Sequence, residues 1–334
     1  MTENTADGEH KPGELSTVLT VVAVGIALAV AFVASYTLAL DRPPPNRIPT
    51  ALVGDATADA GVAQELRSRM RGALRYQSYP TAGEAQRAIE RQRVYAALVV
   101  EPGRSRLLVA SAAGNTLAQV LRNAALQLNE QGGRELLVTD VRPLPDTDRS
   151  GLAAFYVMIA ATLLGFLTAL QLRINVGRVP LRTWFAILAG LAVVGGIALA
   201  VTVGPILGAL PAPLPALWGT LAAQIAVTGL FSTLMVILIG RWAVVPTWLI
   251  FIAIGNAASG GAVATALLPQ PYRTISVIHP NGSVIALLQT TSYFPEAVGV
   301  RPALVEAAWL VGLLGLVLLS ARLVRDGPRW KSSS

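Results

Sequence analysis

The sequence contains no cysteine, which excludes disulfides, thiolate metal sites and cysteine nucleophiles. Charge is also scarce. Only 13% of the 334 residues are charged and 53% are hydrophobic, with a mean hydropathy of +0.56. A soluble globule carries about 25% charged residues, so the composition favours a membrane protein. Two histidines, His10 and His279, are too few for a histidine-rich metal centre. No G-x-x-x-x-G-K-[ST] pattern occurs, so the chain cannot cradle nucleotide phosphates as a P-loop ATPase does. Its polar part shows no paired carboxylates, serine elbow or glycine-rich phosphate loop. No catalytic, cofactor-binding or metal-ligating residues are assigned, and the chain does not read as an enzyme.

What is present is long apolar runs. A helix rises about 1.5 Å per residue against a hydrocarbon core of about 30 Å, so about 20 consecutive apolar residues span it. Six segments qualify, at about 15–40, 152–172, 184–210, 217–240, 243–268 and 303–323. The first is too long for a signal-peptide core. Its leader carries Glu3, Asp7, Glu9 and Glu14 against Lys11, the wrong balance for a signal sequence, so it reads as an uncleaved anchor.

The net charge of +7 resembles a nucleic-acid signal until the arginines are located. Arg173, Arg178 and Arg182 follow the second run, Arg241 the fourth, and Arg322, Arg325, Arg329 and Lys331 the sixth. Positive-inside bias places these loops and both termini in the cytoplasm, within a tail over 1–14 and another over 325–334. Residues 41–150 then lie outside a plasma membrane. Lipid is the expected partner, and nucleic acid is not.

Residues 41–150 are compositionally distinct, holding fifteen arginines and twelve acids. Arg42-Pro43-Pro44-Pro45 opens them as a stiff stalk. The pattern predicts strands near 48–53, 74–79, 94–100, 106–110 and 135–141, with helices near 61–71, after Thr81, and over 116–128. Thr81 followed by Glu84 makes a capping box. The order β-α-β-α-β-β-α-β predicts an α+β domain inserted between the first and second spans.

Three stretches carry a family resemblance: RIPTALVGDA after the first span, AGEAQRAIERQRVYAALVVEPG with SAAGNTLAQVL, and GNAASGGAVATALLPQPYRTISVIHPNGSVIALLQTTSYF before the last. The layout resembles the ABC-2-type permease-like proteins of the YhgE/Pip and related DUF3533 group. The resemblance implies a six-helix membrane bundle with an extracytoplasmic insertion. It also implies an external re-entrant or amphipathic segment over about 270–300.

The expected function is that of an ABC-2-like permease, or a permease homologue, exporting a hydrophobic or amphipathic substrate with a separate ATPase subunit. The alternative is a membrane-anchored interaction protein whose external domain docks a cell-envelope partner. Polar or small residues inside the runs are the candidate helix-packing or substrate-path positions: Gln224, Gly255, Asn256, Ser259, Gly260 and Gly261. Gly255, Ser259 and Gly260 lie four and five residues apart and so share one side of the fifth helix, and that face suits a second helix or a sister subunit in a homo- or hetero-oligomer. Arg173, Arg178 and Arg182 are candidates for the ATPase contact, or simply for setting topology. Glu306 and His279 read as interfacial residues.

Overall fold

The structure is a computed structural model that describes residues 12–40, 48–54, 60–101, 104–131, 136–176, 179–297 and 299–326. The proline stalk at 42–45, Arg178 and most of both tails lie outside the described residues. The chain is mostly helical with one small sheet.

Helix α1, Pro12–Leu40, precedes the sheet. The sheet's strands are β1 Ile48–Val53, β2 Leu74–Ser78, β3 Ala96–Glu101, β4 Arg104–Val109 and β5 Leu136–Asp140, in spatial order β2-β1-β3-β4-β5. Only the β3–β4 pair is antiparallel. The remaining joins are crossovers, made by α2 Ala60–Arg69, α3 Ala82–Glu90 and α4 Asn115–Gln131. Both faces of the sheet are covered, so β3 is a continuous apolar run, buried at Ala96, Ala97, Leu98, Val99 and Val100. Leu66, Met70, Leu117 and Leu121 pack on one face, and Ala85, Ala88 and Ile89 on the other. The Thr81 hydroxyl accepts from the Glu84 amide at 3.2 Å and starts α3.

Among the described residues, five helical runs are long and apolar enough to cross a membrane: Ser16–Leu40, Ala153–Arg173, Leu181–Ile206, Leu214–Ala258 and Val300–Leu323. They contain α5 Ala153–Val176, α6 Leu181–Val201, α7 Leu214–Ile239, α8 Val244–Thr247, α9 Asn256–Ala258 and, after the shorter α10 Tyr272–Ile278 and α11 Pro280–Tyr293, α12 Val300–Asp326. The 45-residue run Leu214–Ala258 is not straight. In one helix, Phe231 and Phe251 would stand about 30 Å apart, yet their ring centroids are 5.2 Å apart. The chain reverses at Gly240, whose φ of +60° suits glycine.

The return limb differs from its expected extent of 243–268. Trp248–Gly255 is π-helical and α9 ends at Ala258. Ser259-Gly260-Gly261 is poor helix sequence, and Gly260 at φ +83° turns the chain out of the helix.

The helices line up at one end with the sheet. Thr147 donates to the Gly208 carbonyl at 2.8 Å and Tyr293 to the Ala209 carbonyl at 3.0 Å. Phe294 completes the apolar cluster on one sheet face, and Leu267 joins the other. Arg173, Arg182, Arg241 and Arg322, by contrast, sit at or near the helix ends remote from the sheet.

Glycines set the closest approaches. A methyl group on Gly196 of α6 would lie 3.0 Å from the Cβ and 3.1 Å from the backbone of Ala222 on α7, whereas Gly190 faces open space. Gly196→Leu is therefore expected to lower the melting temperature of the detergent-purified protein through about 1–3 kcal/mol of overpacking, while Gly190→Leu leaves it near wild type. Tryptophan-fluorescence melting curves of the two variants measure the difference.

Candidate functional site

A polar cluster lies in the middle of the apolar helices. Its hub is Asn281, wholly buried at the start of α11. The Asn281 Oδ1 accepts from Gln224 Nε2 at 2.9 Å. Its Nδ2 donates to Asn256 Oδ1 at 2.7 Å and to the Phe251 carbonyl at 3.0 Å. Gln224 Nε2 also donates to Thr162 Oγ1 at 2.7 Å, and Thr162 in turn donates to the Met158 carbonyl. α7 and the return limb thus meet α11 at one amide, and α5 joins them through Gln224. Gln224 lies about 15 Å along α7 and Thr162 about 14 Å along α5, each counted from the sheet end. That depth is half of an apolar core about 30 Å thick.

The backbone explains why an asparagine is needed there. In π-helical geometry the Asn256 amide reaches back to the Phe251 carbonyl, and that carbonyl also accepts from Asn281. The Ala253 carbonyl accepts from the Ser35 hydroxyl of α1 at 2.7 Å. Beyond the helix end, Ser259 Oγ accepts from the Gly261 amide at 3.2 Å, and the Arg273 guanidinium donates to the carbonyls of Ala266 and Leu268. Side chains supply the partners that an unbroken helix would have supplied itself.

His279 joins α10 to α11 and is 5% exposed, contrary to its expected interfacial position. Its Nδ1 accepts from the Asn281 amide at 3.2 Å, which caps α11. Its ring stands edge-on to Phe251 at 5.3 Å and lies 5.8 Å from Trp309. Gly255 makes room for it, since a methyl group there would strike the imidazole.

The sequence-derived candidates fall into three places. Gln224 and Asn256 belong to the polar cluster. Gly255 backs His279, and Gly261 lies against Phe155 and Ile285, where a methyl group would come within 2.9 Å of both. Ser259 and Gly260 lie past the last helical residue, so the three-residue face expected of Gly255, Ser259 and Gly260 does not exist as one helical surface. What covers Gly255 and Gly261 is this chain's own α10–α11 junction and its helices. Arg173 and Arg182 are exposed at the remote end of the helices, and Arg178 lies outside the described residues.

Sequence reasoning missed Asn281, Thr162 and Ser35. The Pro280-Asn281-Gly282 string reads as a turn, and only the surrounding apolar residues hint that the asparagine is buried. It also misplaced Glu306, which is 4% exposed, and neither carboxyl oxygen has a hydrogen-bond partner among the described residues.

Two cavities border α11 between the polar cluster and the sheet. One, of about 180 Å³, is lined by residues that include Ser259, Ser276, Ser283, Gln289, Arg301 and Pro302. The other, of about 130 Å³, reaches Gln92 and Tyr95 of the sheet domain. Thr265, Ala286 and Gln289 line both. No protein-family model, no curated protein and no solved structure matches the chain.

Removing the hub leaves bare the Phe251 carbonyl's side-chain donor site, Asn256 Oδ1 and one Gln224 donor. Asn281→Leu should therefore destabilise more than Gln224→Leu, by about 1–3 kcal/mol. In a double-mutant cycle the two residues should couple by about 0.6–1.7 kcal/mol. Thermal or denaturant unfolding in mild detergent reads both quantities. Independent, additive effects would show that the Gln224–Asn281 bond contributes nothing.

Proposed function

We propose that the chain is a six-crossing, ABC-2-like membrane permease subunit that exports a hydrophobic or amphipathic substrate, driven by an ATPase on another polypeptide. The observation that carries this reading is the α10–α11 pair. It enters the helices from the sheet end, turns at His279, and is hydrogen-bonded at mid-depth through Asn281. A re-entrant or amphipathic segment before the last span is what the sequence resemblance implies. Transporters build substrate paths from interrupted helices of this kind, because irregular backbone is tolerated at membrane depth only inside protein or beside water.

The reversal at Gly240 supports counting the 45-residue run as two crossings, for six in all. The separation of the arginines from the sheet supports an orientation with the sheet domain outside and both termini in the cytoplasm of a plasma membrane. The remote helix ends at Arg173 and Arg182 are then the surface open to an ATPase, and Arg178, the third candidate, lies outside the described residues. The absence of a P-loop from the sequence assigns ATP hydrolysis to that second chain.

Two experiments test this reading. In the cysteine-free background, Thr116→Cys and Ala212→Cys should react with an impermeant maleimide in intact cells, whereas Val176→Cys should react only after permeabilisation. Labelling of Val176→Cys from outside would reverse the orientation. Purification in mild detergent should recover an ATPase with the wild-type chain, and Arg173→Glu combined with Arg182→Glu should lose it without preventing insertion. A wild-type chain that brings down no ATPase would favour the interaction-protein reading, in which the sheet domain docks an envelope partner.

A further inference from the structure

Glu306 stands two turns into α12 with a carboxyl group enclosed by protein. It is 4% exposed, and both oxygens lack hydrogen-bond partners among the described residues. Pro302, four residues earlier, forms part of the wall of the 180 Å³ cavity. Trp309, three residues later, donates its indole N–H to the Ile278 carbonyl at 2.9 Å. Positions spaced by three and four residues share a helix face, so Glu306 faces the α10–α11 pair between these two contacts. Side chains on a helix lean toward its N-terminus, the end that carries Arg301 and Pro302 of the cavity wall, although Glu306 itself is not part of that wall.

An ionised carboxylate without a partner is costly in such surroundings, and the neutral acid is not. The helices packed on α12 offer little to stabilise a charge. α7 carries no ionisable residue. On α11 the one such group is Tyr293, whose hydroxyl is committed to the Ala209 carbonyl. On α10, Tyr272 lies within 3.1 Å of the Ser35 hydroxyl and Arg273 is bonded to two carbonyls. His279 is enclosed beside Trp309, and Arg301, at the cavity wall on α12 itself, is the nearest cation in sequence.

We propose that Glu306 is a proton-binding site that controls the nearby cavity, whose wall mixes apolar residues with the hydroxyls of Ser259, Thr265, Ser276 and Ser283. With the proton bound, α12 packs closed against α10–α11. When the proton leaves to water, the carboxylate needs solvation or Arg301, and either requires α12 to part from the helix pair and the cavity to fill with water. The proposal concerns this chain's own packing and stands whether or not an ATPase is present.

Dicyclohexylcarbodiimide, a lipophilic reagent that adds to protonated carboxyls, tests the first half on the full-length protein in nanodiscs, with modified peptides identified by mass spectrometry. At pH 7 the Glu306 peptide should be labelled while exposed carboxylates such as Glu101 and Glu296 are not. Labelling should fall by at least about tenfold at high pH as the acid ionises. Glu306→Gln should abolish that adduct while keeping the wild-type gel-filtration profile.

The second half is read from Ala286→Cys, on the cavity wall, with a water-soluble thiosulfonate. Its rate relative to the same cysteine in a Glu306→Gln background should rise with pH, a ratio that cancels ionisation of the thiol itself. A Glu306 that resists the carbodiimide at pH 7, or labels equally at all pH values, overturns the proton site. A flat rate ratio overturns its control of the cavity.

Discussion

A backbone polar group buried away from water must find a partner, and in this molecule that constraint organises everything around the broken return limb. The limb leaves regular helix at Trp248 and leaves helix altogether after Ala258. Each consequence is met by a side chain, two of them from distant parts of the chain and one from the segment just beyond the break. Ser35 bonds the Ala253 carbonyl, Asn281 the Phe251 carbonyl, and Arg273 the carbonyls of Ala266 and Leu268. An unsatisfied group in an apolar medium costs several kcal/mol. The break therefore could not persist without α1 on one side and the α10–α11 pair on the other. Gly255 belongs to the same requirement, because His279 reaches its place only where no side chain intervenes.

Helix α11 ties the polar centre to the sheet. Near its start Asn281 is bonded to Gln224 in the middle of α7 and to the return limb at Phe251 and Asn256, and its other end lies about 20 Å away beside Phe294, which is buried among Ala85, Ile89 and Val99. Tyr293, one residue earlier, bonds the loop between α6 and α7. A displacement of the sheet domain would therefore pull on a rod whose other end is the Asn281 amide. Stiff helices fixed at both ends transmit position well, and both cavities flank this one, since Ala286 and Gln289 line each of them.

Much of the architecture was legible in the sequence, because its signals are local. Alternation and turn residues marked the five strands, and β1 has the bounds read from the pattern. The Thr81 cap was visible because its partner is three residues away. Apolar run length exposed the long helices. The failures were those of long-range chemistry. Helix was expected through 268, since Ala262, Val263, Ala264, Leu267 and Leu268 are apolar, but Ser259-Gly260-Gly261 breaks it. Glu306 was assigned to an interface by counting residues from a span end, whereas its burial depends on α10 and α11, residues whose place in the bundle no local pattern specifies. Asn281 was overlooked for the same reason: its partners are 25, 30 and 57 positions away.

The distribution of packing also says which parts can move. α7 is the axis of the bundle. It lies against α5, α6, α11 and α12, and both Gly165 on α5 and Gly196 on α6 lie close against it. Close backbone approach of this kind gives many dispersion contacts and no slack. α12 is different. It meets α7 through Leu313 and Val317 in an apolar cluster, holds α10 by one hydrogen bond among the described residues, Trp309 to Ile278, and leaves Val311, Leu316 and Leu319 facing outward. A methyl group added at Gly312 or Gly315 would meet nothing within 4 Å, so these glycines serve no close approach here. Sliding or tilting α12 breaks one polar bond and exchanges apolar contacts for lipid, whereas moving α7 would disrupt the whole hydrogen-bonded centre. The unpaired carboxyl of Glu306 is carried by a helix whose polar tie to α10 is the Trp309–Ile278 hydrogen bond, and it stands on the helix face that also carries Pro302 of the cavity wall.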